Sequence, residues 1–497
     1  MERRTALVAG LATLALHLVG NAHYGFFRDE LYFIICGQHP QFGYVDQPPL
    51  VPLLAAGSQL FGHSLFALRL IPAVLAGLTA YVTCVLAAEL GGGRFAQALA
   101  AVCVALAPVL ASFGVLMYPD TLQIALWPLI ALVVLRVTRG ADPRWWLAVG
   151  TLTGIAFQAK YSIVFFALAL VAALVLTAQR RVLATRYAIF GAAIAVVIAL
   201  PNVAWQMREG FPMLELLRND QLGKNVVLSP LAFVLSDVKI LNPLLSLVWI
   251  AGVIWSLTQR RVRWIGLTAL FVLALMIAMH GKDYYPVAVF PMLFAAGGVA
   301  IEDWTSRVRI VRPVALVLAV AAGMALLPLG MPVLPETLFV RYARAIGVVK
   351  AQPSEHHAMA DLPQLYADMH GWPQLAATVA RVYHALPPAE QRIAVIKTPN
   401  YGEASALIFF GERYGLPQVV SGHNQFWLWG YHGGANVVLI DVNGDCGAAQ
   451  HIFAHARVAA TFTAPWVMPY ENDMPIAVCR DPRVPLATLW PSFKNYN

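Results

Sequence analysis

The chain has 497 residues, 59% of them hydrophobic and 12% charged, with a formal net charge of +8 and a mean hydropathy of +0.65. Soluble domains carry about 25% charged residues. The shortage excludes a disordered chain, a coiled coil and a purely soluble enzyme, and points to a polytopic membrane protein.

Eleven apolar runs follow one another: 5–22, 66–88, 95–117, 121–135, 146–159, 161–178, 187–204, 240–258, 264–279, 284–301 and 313–330. A spanning helix needs roughly 17–25 such residues, and most runs qualify. The stretch 145–178 is interrupted by Gln158, Lys160 and Ser162, so it reads as two short spans joined by a hairpin. The first run follows Arg3 and Arg4 without a convincing small-residue cleavage site, which suits an uncleaved anchor. With the N-terminus cytoplasmic, the inside loops hold Arg3, Arg4, Arg94, Arg136, Arg139, Arg144, Arg180, Arg181, Arg186, Arg260, Arg261, Arg263, Arg307, Arg309 and Arg312. That alternation obeys the positive-inside rule. An odd span count then puts residues 331–497 outside.

The charge is unevenly placed. Residues 1–330 carry 23 Lys/Arg against 14 Asp/Glu, and residues 331–497 carry 11 against 12. The basic excess is therefore a topology signal, and no nucleic-acid partner is expected. The tail has another texture. Runs at 393–399, 418–420, 436–442 and 475–479 read as short buried strands, and 373–386 and 402–415 as amphipathic helices. The expectation is a membrane domain over 1–330 and a small extracytoplasmic α/β domain over 331–497. Cys84 and Cys103 fall in spans and read as inert. Cys446 and Cys479 share the tail, where oxidation is permitted, but the sequence leaves their separation open.

The external loops carry the unusual chemistry. The first, about 23–65, contains Arg28-Asp29-Glu30 and then Tyr44-Val45-Asp46-Gln47-Pro48-Pro49 among aromatics. It reads as interfacial amphipathic helices with acids turned toward a cavity. Adjacent residues on a helix point about 100° apart, so only one of Asp29 and Glu30 faces a given site. The other reading of Glu30 is an ion pair with Arg28. Asp120 follows Tyr118-Pro119, where an acid also serves as a helix N-cap. Lys160 ends a short span, where snorkelling is the bland explanation. The loop 205–237, with Arg218-Asn219-Asp220 and Lys224-Asn225, is long enough for a lid. The last external turn holds His280-Gly281-Lys282-Asp283-Tyr284-Tyr285. Lys282 could neutralise a phosphate, the tyrosines could form an aromatic belt, and His280 with Asp46 could hold a divalent metal. No nucleotide-binding loop, CxxC pair or nucleophile elbow is present in the sequence. Cations suited to a lipid phosphate and an acid suited to a general base describe cleavage of a sugar–phosphate bond. Transporters also use intramembrane acids, so a polytopic lipid or sugar transporter or flippase is the alternative.

Five motifs in order carry a family resemblance: Arg28-Asp29-Glu30-Leu31-Tyr32, Asp46-Gln47-Pro48-Pro49-Leu50, Tyr118-Pro119-Asp120, Gln158-Ala159-Lys160-Tyr161 and Gly281-Lys282-Asp283-Tyr284-Tyr285. They resemble bacterial members of glycosyltransferase family 39, relatives of protein O-mannosyltransferases and of the lipid A aminoarabinose transferase. The resemblance covers about residues 1–330. The tail segments Asn400-Tyr401-Gly402-Glu403-Ala404 and Ser421-Gly422-His423-Asn424 resemble tails of a prokaryotic subgroup. The resemblance implies a mostly α, GT-C fold of about 11 transmembrane helices in the bacterial inner membrane. It also implies a polyprenyl-phosphate sugar donor and inverting transfer on the extracytoplasmic face. Asp29 matches the catalytic acid, with Asp46 and Asp120 as further site acids. Lys282 matches a basic residue near the donor phosphate, with Glu30, Gln47, Lys160, Tyr284 and Tyr285 as neighbours. The aminoarabinose branch has Glu-Lys where this chain has Asp46-Gln47, so that cation is missing. The inserted β-trefoil of eukaryotic protein mannosyltransferases has no counterpart in the sequence, which argues against assuming a protein acceptor.

Overall fold

The computed structural model describes residues 2–221, 228–348, 360–447 and 452–497. Lys224 and Asn225 of the expected lid lie outside the described residues. All eleven apolar runs are helical. They form α1 (Glu2–Gly20), α4 (Leu65–Glu89), α5 (Arg94–Leu106) with α6 (Pro108–Val115), α7 (Pro119–Thr138), α8 (Trp145–Ala159), α9 (Ile163–Val175), α10 (Arg186–Arg208), α12 (Pro230–Ile240) with α13 (Pro243–Thr258), α14 (Arg263–Ala278), α15 (Phe290–Trp304) and α16 (Val311–Leu326). Between them lie α2 (Arg28–Gln38), α3 (Leu50–Ser58) and α11 (Pro212–Asn219). Among the described residues five helices are long and apolar enough to cross a membrane, or up to seven if each bent pair is one span. The bends fall at Ala107-Pro108 (65°) and Leu241–Pro243 (116°), where proline begins the next helix and cannot donate a backbone hydrogen bond.

The outer surface of the bundle is apolar. Only 11% of the best apolar window of α10 is buried by protein, and Ile189, Phe190, Val196 and Val197 stand exposed on it. Such a face is stable only against lipid. Helices approach closely where side chains are smallest. A Cβ on Gly150 of α8 would lie 2.0 Å from the Gly191 carbonyl oxygen of α10, so glycine is what allows that crossing.

The expected hairpin at 145–178 is realised as α8 and α9, with the turn at Lys160–Ser162. The tail begins with α17 (Glu336–Ala345), α18 (Gln364–Ala367), α19 (Trp372–His384) and α20 (Pro388–Gln391). It continues as β1 (Ala394–Thr398), α21 (Tyr401–Gly411), β2 (Val419–Ser421), α22 (Gln425–Trp429), β3 (Val438–Val442), β4 (Phe453–Phe462) and β5 (Met474–Pro482). The sheet order is β2-β1-β3-β5-β4. β1 pairs in parallel with β2 and β3, and β5 pairs antiparallel with β3 and β4. β4 is the strand the sequence reading misses. It lies at the sheet edge with most of its residues exposed, so it carries no apolar run. Cys446 and Cys479 form a disulfide, with Cα atoms 5.7 Å apart.

The change of texture near residue 330 is not a break in packing. One apolar core contains Leu31, Ile34 and Ile35 of α2, Val51 of α3, Leu375 and Val379 of α19, Leu407 of α21 and Ile440 of β3. The first loop is therefore sandwiched between the bundle and the tail.

Candidate active site

Helix α2 starts at Arg28, and the Phe27 N–H donates to Glu30 Oε2 at 2.9 Å. This caps the first turn and fixes where the two adjacent acids point. Glu30 turns inward and is fully buried. Arg69 of α4 grips it through two bonds, Nε to Oε1 at 3.1 Å and Nη2 to Oε2 at 3.0 Å. The Met117 N–H adds a third at 3.1 Å. Both Glu30 oxygens are thus engaged inside the protein, and its ion-pair partner is Arg69 rather than Arg28. The signal was legible: Arg69 is a lone cation inside an apolar run, and such a residue requires a partner.

Asp29 points the other way, and its side chain stays 14% exposed. The Tyr401 hydroxyl donates to its Oδ1 at 2.8 Å, and the Arg28 Nε lies 3.7 Å from the same oxygen. Tyr401 opens α21, where the Asn400 side-chain oxygen accepts from the N–H groups of Gly402 and Glu403. Burial pushes the Tyr401 phenol well above its usual range, against the pull of Arg28 and with Asp29 adding to the rise. It therefore keeps its proton and acts as a donor.

Arg28 is a hub between the first loop and the tail. Its guanidinium meets Asp368 at 3.4 Å, Glu471 at 3.8 Å and the Tyr470 hydroxyl at 3.0 Å. Its stem fills the space beside Gly402, where a Cβ would come within 2.5 Å of Arg28 Cγ. Three buried carboxylates, of Asp368, Glu403 and Glu471, surround this one cation. Burial pushes the Glu403 carboxyl up to about 7, with Arg28 pulling it back. Glu471 is raised well above the carboxylate range by burial and by Asp368. Asp368, Tyr401, Glu403 and Glu471 are residues that the sequence does not single out as site candidates, and Arg28 enters there only as a motif member and a partner for Glu30. The only hint in the tail was the Asn400–Ala404 motif.

Asp46 is half-buried and accepts from the Tyr32 hydroxyl at 3.0 Å. Tyr32 in turn accepts from the Gln425 N–H at 3.3 Å and packs on the Tyr401 ring at 4.6 Å. Gln47, beside it, is buried with its carboxamide atoms unpartnered. Asp120 is the second residue of α7 and makes no N-cap bond, because Tyr118 holds the cap position. Instead it accepts from Lys160 Nζ at 2.6 Å. The ammonium also lies 4.4 Å from the centre of the Tyr285 ring, a cation–π contact rather than free snorkelling. Tyr284 packs edge-on against Tyr285. Tyr118 joins the two halves, standing within electrostatic reach of Asp29, Asp120, Tyr284 and Tyr285. Lys282 is half-buried on the same turn. The structure thus brings together Asp29, Asp46, Asp120, Lys160, Tyr284 and Tyr285.

His280 is exposed, Asp46 accepts from Tyr32, and among the described residues no group of three His, Cys, Asp or Glu side chains is arranged to hold a metal ion.

This polar centre is roofed by the tail and floored by helix ends. Residues 46–205 match the family described as dolichyl-phosphate-mannose-protein mannosyltransferase. The chain superposes on the crystal structure of ArnT from Cupriavidus metallidurans bound to undecaprenyl phosphate, covering 95% of this chain and 97% of that one at TM-score 0.56 and 16% identity. The apo ArnT structure gives TM-score 0.57 at 15% identity, covering 95% and 96%. Lipid A galacturonosyltransferase RgtD of Rhizobium johnstonii is 26% identical over 185 residues, 37% of this chain and 39% of that protein. The chain has the fold of these ArnT structures, the GT-C fold.

Proposed function

We propose that the protein is an integral-membrane glycosyltransferase. It moves a sugar from a polyprenyl-phosphate donor to a lipid, glycan or protein acceptor, with a lipid A-type glycolipid the first acceptor to test. The observation that carries this reading is Asp29: a partly exposed carboxylate with one engaged oxygen, on the wall that also holds the Lys160–Asp120 pair. The match to a lipid A galacturonosyltransferase and the fold shared with an undecaprenyl-phosphate-binding protein support it over translocation.

Asp29 takes the proton of the acceptor hydroxyl as that oxygen attacks the anomeric carbon. The bond from that carbon to the phosphate oxygen breaks, and its electron pair leaves on the polyprenyl phosphate. Lys160, aimed by Asp120 and Tyr285, and Lys282 meet the phosphate charge. Attack opposite the leaving group inverts the anomeric centre. Asp46, held by Tyr32, shapes the sugar side with Gln47.

The basic loops support a cytoplasmic N-terminus and an extracytoplasmic tail in the inner membrane, with the chain divided functionally near residue 330. The test is transfer in proteoliposomes from polyprenyl-phosphate-linked sugars, galacturonic acid first, to lipid A. Asp29→Asn is expected to abolish it, and turnover at the wild-type rate in that variant would overturn the assignment. Sugar-lipid crossing the bilayer without transfer would favour a flippase.

A further inference from the structure

We infer that Tyr401, from the C-terminal part of the chain, is a positioning residue that fixes the Asp29 carboxylate by one oxygen and leaves the other to the acceptor hydroxyl. The inference rests on Asp29 being the base. Both contacts of Asp29 fall on Oδ1: the Tyr401 hydroxyl at 2.8 Å and Arg28 Nε at 3.7 Å. The first is a hydrogen bond; the second is too long to be one. Among the described residues, Oδ2 makes no hydrogen bond or ion pair.

Arg28 cannot serve as the anchor, because its other nitrogens are taken by Asp368, Glu471 and Tyr470. Tyr401 can. It is the first residue of a capped helix, and its ring is wedged between Tyr32 at 4.6 Å and His423 at 4.9 Å. A phenol held this way donates along one direction. A carboxylate anchored through one oxygen has its plane fixed, which is what a base must offer to an incoming hydroxyl. The tail is then half of the active site, which accounts for the shared core between first loop and tail.

The test reads the Asp29 carboxylate directly. Infrared pH titration of the full-length protein in nanodiscs, minus the same titration of Asp29→Asn, isolates its band. The groups facing Asp29 are Arg28 on its own helix, Tyr118 at the start of α7, Tyr401 on α21, and Glu471 beside Tyr470. Tyr401→Phe removes one donor to the charged form and leaves the other groups in place. The Asp29 band, isolated against the double variant, is expected to move higher once that donor is lost, and the acid limb of transfer to follow it. A band that does not move overturns the inference. 3-Fluorotyrosine at position 401, a more acidic donor with the same shape, is expected to move the band lower and guards against misfolding of the phenylalanine variant. If Asp29→Asn transfers sugar at the wild-type rate, the proposed function fails, while the titration still judges the Tyr401 contact. If Asp29→Asn is dead and the band is unmoved by either substitution, only the inference fails.

Discussion

Asp29 and Asp120 occupy equivalent places in two helices and meet opposite partners. Each is the second residue of its helix, α2 or α7, where the partial positive charge of the N-terminus favours an anion. Asp120 is 1% exposed and spends its charge on the Lys160 ammonium at 2.6 Å. Asp29 is held by a neutral hydroxyl and keeps one oxygen open. Under the proposed mechanism, a carboxylate that aims a cation can be saturated, whereas one that takes a proton cannot. The membrane helices alone build the Asp120 pair. The Asp29 arrangement needs the tail.

Substitutions can break this contrast. The largest effect is expected at Asp29→Asn, a loss of about a thousandfold in transfer rate, with the gel-filtration profile unchanged. Arg69→Met tests the anchor that turns Glu30 away from the site. Leaving a buried carboxylate unpaired costs about 3–5 kcal/mol, measured as lost resistance to denaturant, and the double variant with Glu30→Gln is expected to recover part of it. Lys160→Met is expected to raise the donor KM by about tenfold or more. Asp120→Asn is expected to be milder, because the cation remains; equal effects would mean that the pair acts as a unit.

Glu403 gives a pH signature. Its folded value lies near 7, raised by burial, so the folded state binds the proton more tightly than the unfolded chain. The stability it contributes is full below the ordinary carboxylate value and is lost as pH rises through about 7, on the order of 2–3 kcal/mol. Melting followed from pH 5 to pH 8 is expected to fall in the wild type and to flatten in Glu403→Gln. The smallest effect is expected at Lys494→Ala. Lys494 pairs with Glu215 at 2.6 Å, but both side chains are substantially exposed, so under about 0.5 kcal/mol is expected.

Periodicity and charge sorting made the helices legible, because a membrane helix must be apolar over its length and its loops must carry the basic residues. Asp29, Asp46, Asp120 and Lys160 stood out for the same reason: polar groups at helix ends beside lipid are costly, and the proposal gives each a use. Strand β4 was not, since an exposed edge strand has no buried face to write into the sequence.

The sequence by itself determined the membrane class, the order of the helices and the short list of acids and cations. Only the tertiary structure decided which groups each acid meets. Glu30 and Asp29 are neighbours in the chain, and their roles separate because Arg69, 39 residues away from Glu30, and Tyr401, 372 residues away from Asp29, approach from opposite sides. Hydrogen bonds between such distant residues leave no periodic trace in a sequence. They exist because burial brings the two chain segments together and then requires their polar groups to be satisfied.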